Sequence, residues 1–310
     1  YNPALKTALP AGSGPDVVVV DWDAIGNLWT FTLPLDDKLK SDSIDVTNVL
    51  IPAAVDEMKL INPQQTLYLP GDMELLGWPF YWLADFQKAN ITPDSLKTFD
   101  DFQTACKTIK GAGLQPLLGS GVKGANWQYI DWFQSLVEIA APGKIEKVQR
   151  GQGKFTDSDM VNAFTLLGTV FTQYMQSGVL GADVPVPIND FQAQKGTMTM
   201  AATGTPWFGF LTNTNAKIVD AINNSWGTFL LPGSKGLIAT DAYFVGIKAS
   251  KNPDAAYQFI KWSALGNGAK QIATKGGQPM AAKGIDLPKQ SATFEKNLGT
   301  PLLTAIAAPN

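Results

Sequence analysis

The chain has 310 residues, a net charge of −3, 45% hydrophobic residues and 16% charged residues. A single hydrophobic core rarely serves a chain of this length, so we expect two domains. The composition excludes a disordered protein, and no apolar run approaches the roughly 20 residues that span a membrane.

The residue types that are absent or rare in the sequence exclude several kinds of chemistry. The sequence has no histidine, one cysteine (Cys106) and one arginine (Arg150). Without histidine a serine or cysteine triad cannot form and zinc loses its usual ligands, so we expect no metal and no cofactor. Cys106 lies at an apolar helix position and is predicted to be core. Scattered lysines exclude nucleic acid as a partner, and the shortage of arginine favours a neutral ligand.

The first half of the chain alternates strand-like and helix-like runs, which indicates an α/β fold. Val17–Val20 is a continuous β-branched run, typical of a strand buried on both faces. Thr98 is the predicted N-cap of a helix whose Asp101 lies three residues further on, and Gly111 or Gly113 ends it.

The second half continues the alternation. A long helix is predicted from about Asp157 to Gln176, and a short one from an Asn189 cap to Gly196. A strand over 198–202 then leads through a Gly-Thr-Pro turn to Trp207. A helix with Pro253 at its first position follows later. On the helices, Trp132 and Trp262 are predicted to be core.

Other tryptophans follow strand ends or glycine-rich loops, and acidic residues cluster in similar places. A pyranose ring offers C–H groups to an aromatic plane and hydroxyls to carboxylates. Ligands of open α/β sheets bind outside the carboxyl ends of the strands, where these residues fall. The side chains of this pattern are Asp21, Trp22, Asp23, Asp72, Glu74, Trp127, Trp207 and Asp241.

The same residues have simpler interpretations. Each tryptophan alone could be core or a half-exposed cover, and the acids could be ordinary loop caps. Asp72 and Glu74 could also form the acid/base pair of a glycosidase, although no second fixed partner is identifiable. The stretch GSGPD precedes a strand and no phosphate-loop pattern follows it, so we reject a phosphate site.

Several stretches, in order along the chain, together resemble one family. It is the extracellular solute-binding proteins of bacterial ABC importers, in the carbohydrate-binding group that includes maltose-binding protein. Tyr81-Trp82 stands where the family has Tyr-Asn. Asn90 stands where the family has a glycine, and asparagine tolerates the same left-handed backbone conformation. The matching stretches are LKTALPAGSGPDVVVVD, LPLDD, LYLPGD…FYWLADFQKANI, KTFDDFQTACKTIKGAGLQPL, FQAQKGTMTMAATGTPW and LLPG…GIKASKNPDAAYQFIKW.

The resemblance implies roles for individual residues. Trp207 takes the position of the sugar-stacking tryptophan, and Trp127 or Tyr129 that of an aromatic residue in the second lobe. The remaining implied ligand-binding residues lie at the first strand's end and on the crossing segments: Asp21, Trp22, Asp23, Asp72, Glu74 and Asp241.

The implied fold is α/β, with two lobes of the periplasmic-binding-protein type connected by hinges. The first lobe would contain 1–71 and 243–286, and the second 72–242 and 287–310, with crossings near 70–73, 241–244 and 286. Family members also open with a strand, a helix and a second strand, about 40 residues that this sequence does not contain.

The implied function is the capture of a mono- or oligosaccharide for delivery to a membrane permease. The resemblance implies a monomeric, non-enzymatic protein outside the cytoplasm, either periplasmic or lipid-anchored on the outer face of the cell membrane. Two alternatives stay open. One is a glycoside hydrolase that uses cleft carboxylates, and the other is a binder of a cationic ligand such as a polyamine.

Overall fold

The computed structural model describes residues 2–121, 127–200, 225–276 and 278–285. At positions 2, 22, 23, 75, 76, 127, 237, 238 and 276 this description is limited to the main chain. The described residues divide into two units, each formed from more than one stretch of chain. The first contains 2–74, 238–276 and 278–285, and the second contains 75–121, 127–200 and 225–237.

The first unit combines helices with a three-stranded sheet. Its described helices are α1 (Asn2–Ala8), α2 (Trp22–Leu28), α3 (Asp36–Ser41), α4 (Val46–Val49), α5 (Pro52–Ile61), α12 (Pro253–Leu265) and α13 (Asn267–Gln271). A π-helical turn at Ile272–Gly276 follows α13. The strands of the sheet are β1 (Val17–Val20), β2 (Leu69–Pro70) and β9 (Tyr243–Gly246).

The sheet has the order β1–β9–β2, and both outer strands run antiparallel to β9. β1 is therefore parallel to β2 although the two do not pair directly. The prediction that Val17–Val20 is buried on both faces was wrong: Val18 and Val20 are buried, but Val19 is 44% exposed. The strand covers the core with one face only, as antiparallel strands commonly do.

The core of the first unit lies between this sheet and its helices. Val20 and Val245 of the sheet belong to the same buried cluster as Ala54 and Met58 of α5. Helix α5 is thus held against the sheet by the apolar side of the helix.

Two strands pair where the chain passes from one unit to the other. They are β3 (Met73–Leu76) and β8 (Leu237–Thr240), which form a two-stranded sheet. The unit boundaries fall at 74/75 and 237/238, compared with the crossings predicted near 70–73 and 241–244.

The second unit is also a mixed helical and sheet structure. Its described helices are α6 (Leu83–Lys88), α7 (Phe99–Gly111), α8 (Trp127–Ala140), α9 (Lys144–Gln149), α10 (Ser158–Gln173) and α11 (Pro185–Gln192). Its described strands, besides the parts of β3 and β8, are β4 (Pro79–Trp82), β5 (Leu117–Leu118), β6 (Met198–Met200) and β7 (Trp226–Thr228).

The four-stranded sheet of this unit has the order β5–β6–β4–β7. β5 is parallel to β6, whereas β4 runs antiparallel to both of its neighbours. The core beside it contains Phe102 and Cys106 of α7 and Trp132 and Leu136 of α8. The predictions that Cys106 and Trp132 are core residues are confirmed, since both are fully buried.

The observed starts of two helices agree with the capping residues predicted from the sequence. Thr98 caps α7 and forms a reciprocal capping box with Asp101, and Asp157 precedes α10. Asn90 adopts the expected left-handed conformation with φ of 53°. No described helix combines the length and the apolar character that crossing a membrane requires.

Two helix predictions were wrong. α11 begins at Pro185 rather than after Asn189, because prolines in a first turn need no N–H partner and can start a helix. Trp262 is not core but 44% exposed. On α12 the residues at a spacing of four, such as Ile260 and Ala264, are buried, and Trp262 lies on the flank beside them.

Candidate functional site

Three strand ends meet at one edge of the first unit's sheet. The register aligns Val20 of β1 with Tyr243 of β9, and Pro70 of β2 with the same Tyr243. Because β1 and β2 are parallel, both end at the edge where β9 begins. The residues that follow β1 and β2 and those that precede β9 therefore lie there together, and they carry the carboxyl groups of Asp21, Asp72 and Asp241.

Main-chain hydrogen bonds fix two of these residues to each other. The amide of Asp241 donates to the carbonyl oxygen of Asp72 at 3.0 Å, and that of Gly71 donates to the carbonyl oxygen of Ala242 at 2.7 Å. The amide of Ala281 in turn donates to the carbonyl oxygen of Gly71 at 2.8 Å. The backbone that carries Asp72 is consequently held on both sides.

The electrostatic environment shows that the three carboxyl groups are close. Burial, together with the smaller effects of the charges of Asp72 and Asp21, raises the pKa of Asp241 to about 7. Burial also raises the pKa of Asp72, against the lowering effect of hydrogen bonds from main-chain amides, and Asp21 adds to the rise. Near neutral pH, Asp241 is thus present in both its protonated and ionised forms, so the group can donate as well as accept a hydrogen bond.

Asp21 occupies the junction between β1 and α2. It is the N-cap residue of α2, and its carbonyl oxygen accepts a hydrogen bond from the amide of Ala24 at 3.0 Å. Trp22 and Asp23 are the first residues of that helix, and their side chains lie outside the described part of the structure. The structure thus places the main chain of all three predicted residues at the sheet edge.

The remaining predicted residues lie on other elements or outside the described residues. Glu74 lies in β3 and is half-buried. In the second unit, Tyr129 of α8 is half-buried, packs against the core and meets the Phe171 ring edge-on at 5.6 Å. Trp127 is the first residue of α8, but its side chain is outside the description, and Trp207 lies outside the described residues altogether.

One carboxyl group near the site was not predicted from the sequence. Glu57 of α5 accepts hydrogen bonds from the amide of Thr240 at 3.0 Å and from its hydroxyl at 2.7 Å. It also accepts a hydrogen bond from the hydroxyl of Tyr243. An acidic residue next to Asp56 on an amphipathic helix resembles an ordinary solvated position, so the sequence carries no signal for this contact.

The described residues offer no ready site for a metal ion. In the part of the chain that the structure describes, no three acidic or cysteine side chains are grouped so that they could hold one.

The comparison with protein families identifies the class. The model of the family "Bacterial extracellular solute-binding protein" matches residues 1–265. The chain belongs to this family.

Solved structures with the same fold extend the comparison. A chitin oligosaccharide binding protein is 19% identical with a TM-score of 0.80, over 96% of this chain and 73% of that one. Maltose-bound MalE3 of T. maritima is 15% identical with a TM-score of 0.73, over 99% and 77%. An ABC transporter associated binding protein of B. animalis subsp. lactis Bl-04, in complex with β-1,6-galactobiose, is 22% identical with a TM-score of 0.65, over 91% and 67%. The comparison with curated proteins gives no match.

Proposed function

We propose that this protein is the sugar-binding component of an ABC importer. It captures a mono- or oligosaccharide outside the cytoplasm, in a periplasm or anchored to the outer face of the membrane, and delivers it to a membrane permease. It acts as a monomer and is not an enzyme. The family and the carbohydrate ligands of the similar structures support this proposal.

The observation that carries the proposal is the group of carboxyl side chains at one sheet edge. Asp21 and Asp72 follow the carboxyl ends of the parallel strands β1 and β2, where α/β proteins bind their ligands, and Asp241 lies beside them just before β9. The raised pKa of Asp241 reflects a partly desolvated position. Hydrogen bonds from a ligand to such groups are stronger than in open water.

The protonation of Asp241 distinguishes a sugar ligand from a cationic one. A sugar hydroxyl both donates and accepts, so it can pair with the ionised or the protonated form of Asp241. A polyamine would instead require the ionised form and would release protons when it binds near neutral pH. This difference separates the two ligand classes experimentally.

Aromatic residues complete the proposed site. Trp207 and Trp127 stack on sugar rings, with Tyr129 as the second candidate in its region, and Trp22 contributes at the end of β1. Asp23 and Glu74 accept hydroxyl hydrogen bonds together with the three carboxyl groups. Loss of a stacking ring is expected to cost about 1–3 kcal/mol of binding free energy, or one to two decades in affinity.

The proposal is tested by thermal shift and calorimetry with defined sugars. The probes are maltose, N,N′-diacetylchitobiose, β-1,6-galactobiose, raffinose and D-galactose, with spermidine as the cationic comparison. We expect at least one sugar to raise the melting temperature, because a ligand of the native state stabilises it by mass action. Its affinity should fall in Asp241→Asn and Trp207→Ala but remain unchanged in Asp37→Asn, which removes an exposed carboxylate of α3.

Other outcomes would replace the proposal. Binding of spermidine alone, with proton release, would support the cationic ligand. Shortened products from the incubated oligosaccharides would support the hydrolase. Sugar binding that is unaffected by Asp241→Asn and by Trp207→Ala would refute the assignment of the site.

A further inference from the structure

We propose that Glu57 is a positioning residue, which holds the end of β8 and thereby fixes the place of the Asp241 carboxyl group. Glu57 would not touch the ligand itself. Its importance for binding rests on the proposed function, but its positioning role can be measured in the free protein.

The two oxygens of the Glu57 side chain hold both flanks of Asp241. Oε2 accepts from the amide and the hydroxyl of Thr240, at 3.0 and 2.7 Å, and Oε1 accepts from the hydroxyl of Tyr243. Thr240 ends β8 and Tyr243 begins β9, so one carboxyl group spans the dipeptide Asp241–Ala242 between the strands. Neither flank can shift without breaking a bond to Glu57.

The contacts of Glu57 also support Asp72, through main-chain hydrogen bonds between the two segments. The amide of Asp241 donates to the carbonyl oxygen of Asp72, and the carbonyl oxygen of Ala242 accepts from the amide of Gly71. A displacement of the 241–242 segment would therefore also release the backbone of Asp72. Glu57 thus supports two of the three carboxyl groups at the sheet edge.

Glu57 and its partner Tyr243 lie on elements that are packed into the core of the first unit. Its helix α5 is anchored by Ala54 and Met58 in the core of the first unit. The ring of Tyr243 packs edge-on against Tyr68 at 4.8 Å between centroids, and both rings are fully buried. The carboxyl group is therefore carried by a helix that is packed into the core, an element that positions a side chain more precisely than a loop does.

The burial of the Glu57 carboxyl group is not explained by a gain in folding stability. Burial raises the pKa of Glu57 even though its hydrogen bonds from Tyr243 and Thr240 act to lower it. A desolvated carboxyl group is a poor source of net stability, since apolar residues of similar size often stabilise as much. Its hydrogen bonds instead specify one backbone geometry next to Asp241.

The test measures amide hydrogen exchange by NMR in the unliganded protein. In Glu57→Ala, and to a smaller extent in Glu57→Gln, the amides of Thr240 and Asp241 should exchange roughly tenfold to a hundredfold faster relative to the amides of β9. Glu57→Gln keeps the shape of the side chain and one acceptor oxygen, so it remains informative if Glu57→Ala does not fold. Asp56→Asn, one residue away and exposed, should leave the ratio unchanged.

The ratio distinguishes positioning from general stabilisation. Equal acceleration at Asp241 and throughout β9 would show that Glu57 merely stabilises the unit and would overturn the proposal, as would an unchanged ratio in both variants. If the ratio changes but none of the five sugars binds, Glu57 is a positioning residue and only the proposed function fails. If maltose or another probe binds, its affinity should fall in Glu57→Gln as well.

Discussion

At position 71 a side chain would occupy space that neighbouring residues already fill. A Cβ atom on Gly71 would lie 2.7 Å from Cε2 of Phe244 and 3.2 Å from the carbonyl oxygen of Ala242. Phe244 is buried, so its ring cannot move away freely. We expect Gly71→Ala to lower the free energy of unfolding by about 1–3 kcal/mol, the usual cost of overpacking.

A matched variant controls for the change from glycine to alanine. Gly26 lies inside α2, where a Cβ atom would meet nothing within 4 Å. Gly26→Ala should raise the free energy of unfolding by up to about 1 kcal/mol, because alanine is the better helix former. Urea denaturation of both variants checks the pair. Equal effects at the two positions would mean that the contact with Phe244 is not limiting.

At the level of single residues, the sequence singled out three carboxyl groups of the candidate site. Asp21, Asp72 and Asp241 could be placed at strand ends because turn signals and β-branched runs are local. Their convergence on one edge depends on the pairing of β1 and β2 with β9, residues far apart in the chain. Glu57 could not be found in this way, since its partner Thr240 is 183 positions away.

Among the elements, α7 has the best-defined start. The amide of Asp101 donates to Oγ1 of Thr98 at 3.2 Å, and the amide of Thr98 donates to the Asp101 carboxylate at 2.9 Å. Thr98→Ala removes one half of this exchange and should cost about 1 kcal/mol of stability. The melting temperature measures this loss.

An internal threonine of the same helix supplies the control for Thr98→Ala. Thr108 is exposed and its hydroxyl only donates back to the carbonyl oxygen of Thr104. Thr108→Ala should therefore be neutral or slightly stabilising. A loss of stability as large as that of Thr98→Ala would show that the capping box contributes nothing specific.

Element prediction succeeded where a local signal decides the structure. The Thr98 cap and the asparagine at position 90 each act within one turn of chain, and both are as expected. The burial of β1 was predicted wrongly because four valines in a row do not reveal what covers each face. The exposure of Trp262 likewise depends on which side of α12 meets the sheet, and the helical period alone leaves that open.

At the scale of the molecule, the absence of histidine simplifies the dependence of stability on pH. No histidine side chain titrates between pH 5 and 8. Carboxyl groups with a lowered pKa, such as those of Asp42 and Asp101, lose their contribution only below about pH 4. Among the described carboxyl groups with a resolved pKa shift, those of Glu57, Asp72 and Asp241, all in the first unit, have a raised pKa and contribute to the trend at higher pH.

The sign of this trend follows from proton binding. A carboxyl group with a raised pKa in the folded state binds more protons there than in the unfolded state, so stability falls as pH rises. For Asp241 the loss extends from an unfolded pKa of about 4 to the folded pKa of about 7 and is complete above it. We expect the urea midpoint of the wild type to decrease between pH 5 and pH 8.

Asp241→Asn should remove part of this decrease. The variant no longer ionises at position 241, so it no longer places a charge beside Asp72 and Asp21 as pH rises. Its stability should exceed that of the wild type at pH 8 by about 1–2 kcal/mol, with little difference at pH 5. Urea midpoints at pH 5, 6, 7 and 8 measure the effect, and Asp37→Asn should follow the wild-type curve. Parallel curves for Asp241→Asn and the wild type would mean that this carboxyl group titrates normally and is not desolvated at the sheet edge.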